Sequence, residues 1–208
     1  MQTRRMHFVY LAITTAFPAW SSSAYAQDVG DDRAFSYRGF SADVTAIANA
    51  PERAAILASL RHQIDIAADC GAKPEIIDFF RSQKIALLVG AGDSGKFNSN
   101  RPGVTVNAAI QPPQKPIVLH ELLHAYHFRA LPGGFGNRDI QRFYEAATTG
   151  NLYKSGAYVT KNVQEYFAVT ASLYLWGNVD RPPFNRDNLK ARQPAYYAWL
   201  GELFGTEK

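Results

Sequence analysis

From residue 51 onward the chain alternates between stretches of helical and of extended hydrophobic spacing. Pro51 suits a first helical position with Glu52 in the first turn. Ala55, Ile56, Leu60, Ile64 and Ala67 then recur at helical intervals, and Gly71 is a natural stop. Lys73 to Gln83 predicts a second, short helix, started by Pro74 and Glu75, with Ile76, Ile77 and Phe80 on its apolar face. Ile85 to Val89 is an apolar run closed by glycines and predicts a strand, as does Val104-Thr105-Val106. After Pro112, Pro113 and Pro116, a strong helix is expected from Ile117 to about Leu131, stopped by Pro132-Gly133-Gly134. Further helices are expected from an Asp139 cap to about Thr148, from an Asn162 cap over Val163–Trp176, and over Pro194–Phe204 after the break at Pro182-Pro183. Helices, a small sheet, then helices describe an α+β domain.

The N-terminus has a different pattern. Arg4 and Arg5 precede a mostly apolar run from Phe8 to Trp20, followed by small residues and Ala24-Tyr25-Ala26. This is the layout of a secretory signal peptide. Residues 1–26 are therefore expected to be removed, with the product secreted or periplasmic and beginning at Gln27. The run is shorter than a membrane span requires and Pro18 interrupts it, so no stable membrane insertion is expected. Residues 27–50 look like a loosely structured leader, and residues 51–208 form the domain.

Charge and cysteine content narrow the options. The formal charge of +4 falls to +2 when Arg4 and Arg5 leave, and the remaining Lys and Arg are scattered. No nucleic-acid partner is expected from that balance. Cys70 is the sole cysteine, so an internal disulfide is excluded and a small buried apolar role is expected.

Gly90-Ala91-Gly92-Asp93-Ser94-Gly95-Lys96 comes close to a phosphate-binding loop. Phe97 stands where a magnesium-binding Ser or Thr belongs, and Asn98 to Gly103 cannot open a helix. The segment reads instead as a flexible turn between two strands.

The chemistry concentrates in His120-Glu121-Leu122-Leu123-His124. Positions i and i+4 share one helix face, so both imidazoles can reach a single zinc ion (Zn2+). Glu121 is placed as general base, activating a zinc-bound water for attack on a peptide bond. Burying these polar groups in an apolar helix is costly unless a metal satisfies them. A catalytic zinc also needs a third protein ligand and an open position. Ala130 occupies the place of a third histidine of the metzincin type, and His127, one turn beyond His124, is expected behind the ligands or at the surface. Two downstream carboxylates remain, Glu145 and Glu165. Glu165 has the better context, beside Tyr166-Phe167-Ala168.

His120 to His127, followed by Asn162-Val163-Gln164-Glu165-Tyr166-Phe167-Ala168, resembles the gluzincin peptidases related to the catalytic domain of anthrax lethal factor. The likeness covers roughly residues 104 to 204. It implies a zincin-like domain whose small mixed sheet offers an edge strand to an extended peptide. It further implies that Glu165 joins His120 and His124 as zinc ligand, that Tyr158 stabilises the oxyanion, and that the strand at Val104 to Ala108 is the edge. The family usually carries Glu where this chain has Val169. If that carboxylate supports a ligand, its loss would weaken metal binding about 10–100-fold. The expected function is thus a zinc-dependent endopeptidase acting, as a monomer, on peptides or proteins. A non-catalytic zinc-stabilised binding domain and a zinc amidase or cell-wall hydrolase are the alternatives.

Overall fold

The computed structural model describes residues 32–90 and 92–206, so the expected signal segment and the start at Gln27 lie outside the described residues. Among the described residues the fold is α+β, with seven α-helices and a five-stranded mixed sheet whose strands, numbered along the chain, lie in the order 1-2-3-5-4. Among the described residues no helix is long and apolar enough to cross a membrane.

The expected loose leader is corrected in part. Residues Ala34–Tyr37 (β1) and Phe40–Asp43 (β2) form an antiparallel hairpin. Arg38 and Gly39, both at positive φ (52° and 82°), make its two-residue turn, a conformation that matches the twist of the flanking strands. Arg38 is held there by Asp65 and Asp69 at 2.9 and 2.6 Å. Phe40 and Ala42 point into the core and Ser41 outward. That alternation is too short to stand out among polar neighbours.

Helix α1 (Arg53–Ala68) buries Ile56, Leu60 and Ile64, and begins two residues after Pro51. Cys70 is buried just beyond its end. Helix α2 (Pro74–Ser82) leads into β3 (Ile85–Leu88), which lies parallel to both β2 and β5 (Val104–Asn107). The stretch expected to be a flexible turn contains a further strand, β4 (Gly95–Phe97), antiparallel to β5 and pairing Phe97 with Val104 and Gly95 with Val106. The edge strand is therefore β4, and Val104–Asn107 is interior. Neighbours on both sides leave β5 with no open edge, and Val104 and Val106 are buried.

Helix α3 (Ile117–Arg129) packs against α1, α5, β4 and β5. Its N-cap, Pro116, makes no side-chain cap bond. Gln63 of α1 fills that role, accepting from the Val118 N–H (3.2 Å) and donating to the Lys115 carbonyl (2.8 Å). Helix α4 (Arg138–Thr149) is capped by Asn137 rather than Asp139, because the Asn137 side chain accepts from the Ile140 N–H at 3.1 Å. Helix α5 (Val163–Trp176) spans the expected residues, with every residue from Tyr166 to Leu175 buried. A short helix that the sequence reading passes over, α6 (Arg186–Arg192), follows an Asn185 cap. Helix α7 (Pro194–Phe204) closes the core with Tyr196, Leu200 and Phe204.

Candidate metal centre and its cleft

Helices α3 and α5 bring three donors together. His120 and His124 share one face of α3, and their Nε2 atoms lie 3.1 Å apart. Glu165 stands in the first turn of α5, where the Asn162 cap accepts from the Glu165 N–H itself at 2.8 Å. Glu165 Oε2 approaches His120 Nε2 at 3.3 Å and His124 Nε2 at 3.4 Å. This oxygen is buried and has no hydrogen-bond partner. Among the described residues these three form the one group of such side chains that could hold a metal ion, with donor atoms all within 4.8 Å of one another. Glu145 is exposed on α4 and takes no part.

The electrostatics fit a site built for a cation. Burial alone would raise the Glu165 carboxyl, but the two imidazoles override it and hold the group well below the usual carboxylate range. Burial drives the His120 imidazole towards its neutral, metal-binding form. Glu121 follows His120 on the same helix. Burial pushes its carboxyl up to about 8, the Glu165 charge adds to the rise, and the donated Phe97 N–H opposes it.

That N–H ties Glu121 to β4. Gly95 sits even closer: a Cβ on this residue would fall 2.5 Å from Glu121 Cγ and 2.9 Å from Oε1. A side chain here would have to displace the carboxylate. The glycine-rich segment that mimics a phosphate loop thus forms the lip of the cleft, and Asp93 within it pairs with Lys115 at 2.6 Å.

Tyr158 begins a short 3-10 turn, Tyr158–Thr160, that packs on α5. Its ring is partly exposed to the cleft. The Arg181 guanidinium lies 4.5 Å from the ring centroid and the Lys161 ammonium 5.2 Å. Burial and then the neighbouring Glu165 push its hydroxyl up to about 12. His127 is neither at the surface nor among the donors. It is fully buried between Phe135 and Phe167 (ring centroids 5.1 and 4.9 Å away), with neither ring nitrogen hydrogen-bonded. Burial first, and the His124 charge second, lower its pKa to about 4.

Concave space lies on two sides of the triad. A compact pocket of about 140 Å³ reaches Ile117, Val169, Val179 and Arg181. A wider hollow of about 600 Å³ is bordered by Phe97, Phe135, Lys161 and Gln164. Phe97, Phe128 and Phe135 make an aromatic cluster beside His124. Gly95, Phe97, Lys115 and Arg181 also line the cleft, although no local pattern in the sequence marks them as part of it.

No family model matches the chain, and no curated protein matches it. Among solved structures it is similar to the PRO-PRO endopeptidase (PPEP-2) from Paenibacillus alvei, at 25% identity and a TM-score of 0.45, with 75% of this chain and 91% of that chain covered.

Proposed function

We propose that this chain is a zinc-dependent endopeptidase, with His120, His124 and Glu165 as the protein ligands of the metal. The observation that carries the reading is the convergence of the three donors. Ligands about 2.0–2.2 Å from a tetrahedral zinc stand about 3.3 Å from one another. The donor separations here are 3.1, 3.3 and 3.4 Å. The unpartnered Glu165 oxygen is accounted for if a cation completes its shell. Two histidines and one carboxylate also leave a fourth position open, as catalysis requires.

Bound there, zinc would acidify a water molecule and polarise the scissile carbonyl. The other roles fall to the chain. Glu121, beside the ligands and buried, takes a proton from the attacking water and passes it to the leaving amine. The Tyr158 hydroxyl, protonated throughout the working range, donates to the oxygen on which charge develops.

Strand β4 receives the substrate backbone. Residues along a strand alternate in direction. The Lys96 carbonyl faces β5, where it accepts from the Thr105 hydroxyl at 2.7 Å. The backbone groups of Gly95 and the carbonyl of Phe97 therefore lie towards the open side, the Phe97 N–H being taken by Glu121, and an extended peptide can add there as a further strand.

The test combines metal analysis with peptide-library cleavage in the presence and absence of a chelator. Zinc near one equivalent and chelator-sensitive cleavage are expected. Glu121→Gln should keep the zinc and lose cleavage, by a factor of 100 or more for a general base. Zinc without cleavage in the unaltered protein would transfer the site to a non-catalytic, zinc-stabilised binding domain.

A further inference from the structure

Val169 lies one helical turn beyond Glu165, and Ser172 nearly one further turn along the same face of α5. Both are buried and both line the compact pocket. Ile117 at the start of α3 and Val179 beyond α5 supply the opposing apolar wall. The pocket also touches His120, Glu121 and Tyr158, so its mouth opens where the scissile bond would sit.

Its rim is charged, but the charges are already matched. Lys115 binds Asp93 at 2.6 Å and Asp180 at 2.9 Å, and Arg181 binds Asp180 at 3.1 Å while lying over the Tyr158 ring. A charged side chain entering this pocket would lose water, at a cost that the paired rim groups do not offset; the remaining carboxylate in the lining is Glu121, the proposed base. The volume, about 140 Å³, is close to that of an engineered apolar cavity of about 150 Å³ that admits benzene. It is filled well by a branched aliphatic side chain or a phenyl ring and poorly by glycine.

We propose that this pocket is the principal specificity subsite and that it takes an uncharged apolar side chain (Val, Leu, Ile or Phe) on a residue flanking the scissile bond, with Val169 as the specificity-determining residue. The inference rests on the peptidase reading.

The test uses zinc-loaded protein and two peptide series, each varying one residue beside the cut among Gly, Ala, Val, Leu, Phe, Trp, Lys and Asp. In one series, Val and Leu peptides should exceed Gly, Trp, Lys and Asp peptides at least tenfold in kcat/KM. Val169→Phe should fill the pocket, lowering the Leu peptide at least tenfold while leaving the Gly or Ala peptide within about threefold. Val169→Ala should enlarge the pocket and move the optimum towards Trp. Both variants should retain zinc, which separates a reshaped pocket from a damaged fold. A second readout avoids turnover: in Glu121→Gln protein, binding of the Leu peptide should weaken at least tenfold when Val169→Phe is added. The same side-chain ranking in all three proteins, or a preference for a charged residue, would overturn the subsite while leaving the peptidase reading intact. Absence of chelator-sensitive cleavage in the unaltered protein would overturn both.

Discussion

The two helices that carry the metal donors begin in different ways. Helix α5 is capped from within: Asn162 immediately precedes it and its side chain holds the backbone N–H of Glu165, the residue that supplies the carboxylate. Helix α3 starts at a proline without a cap bond, and its first turn is tied instead by Gln63, contributed by another helix. A local cap sets the geometry of one ligand as soon as its own helix forms. A distant cap makes the geometry of the other two depend on the docking of α1. The carboxylate side of the site should therefore be more self-sufficient than the histidine side.

The largest expected effect comes from the donors. Glu165→Ala should strip most of the zinc and abolish cleavage, because two histidines alone are too few ligands. Glu145→Ala should retain both, since that carboxylate is exposed and remote from the donors. Metal analysis of the two purified variants decides between them, and the reverse outcome would remove α5 from the site.

Next come the caps. Gln63 is buried. Gln63→Leu leaves the Val118 N–H without its partner, while the Lys115 carbonyl keeps the Ile117 N–H, and should cost about 1–3 kcal/mol. Zinc affinity should fall with it, through His120 and His124. Urea unfolding of the metal-free protein and a zinc titration measure the two effects. A loss of stability with unchanged zinc affinity would show that the distant cap does not govern the histidines.

A third test probes the seam between the helices, where His127 of α3 meets Phe167 of α5. Its pKa is lowered to about 4 when folded and is about 6.5 when unfolded. The unfolded chain therefore binds the proton more readily, and stability falls as pH drops from about 6.5 towards about 4. Between pH 6.5 and 5 this amounts to at most about 2 kcal/mol. His127→Phe should reduce the loss of stability over that interval relative to the unaltered protein, read as unfolding midpoints at the two pH values. Equal losses would mean the imidazole does not titrate with unfolding.

The smallest effect is expected at Asn162. Asn162→Ala should cost about 1 kcal/mol, the ordinary worth of an N-cap. Calorimetry and a zinc titration measure it. A cost larger than that of Gln63→Leu would invert the comparison between the two helices.

This same contrast governs what could be read in advance. Helix α5 is legible to the residue because its cap and its apolar run are contiguous, and the two histidines with Glu121 are legible because helical spacing places them on one face. Glu165 needed more than spacing. Glu145 also sits on a helix, and only the surrounding Asn162 and Tyr166-Phe167-Ala168 favoured the former. The strands were the harder part. β4 has three residues and owes its existence to pairing with β5, a relation that no local pattern encodes. The family resemblance places the edge at Val104 to Ala108, whereas β5 lies between β3 and β4 in the sheet, so spatial order departs from chain order there. The paired Lys115, Asp93 and Asp180 come from three separate segments, so their meeting follows from the fold alone.

Gly95 has a consequence for the mutational landscape of the chain. Its backbone passes so close to Glu121 that the first atom of any side chain would meet the carboxylate's own methylene. The strain of a substitution would therefore be relieved by moving the base, a flexible group at the cleft, rather than by opening the core. Variation at this codon would be filtered by activity while leaving folding nearly untouched. Alleles there would be lost for want of activity rather than for want of a fold, whereas Gly136, with open space where a Cβ would stand, would be free to drift.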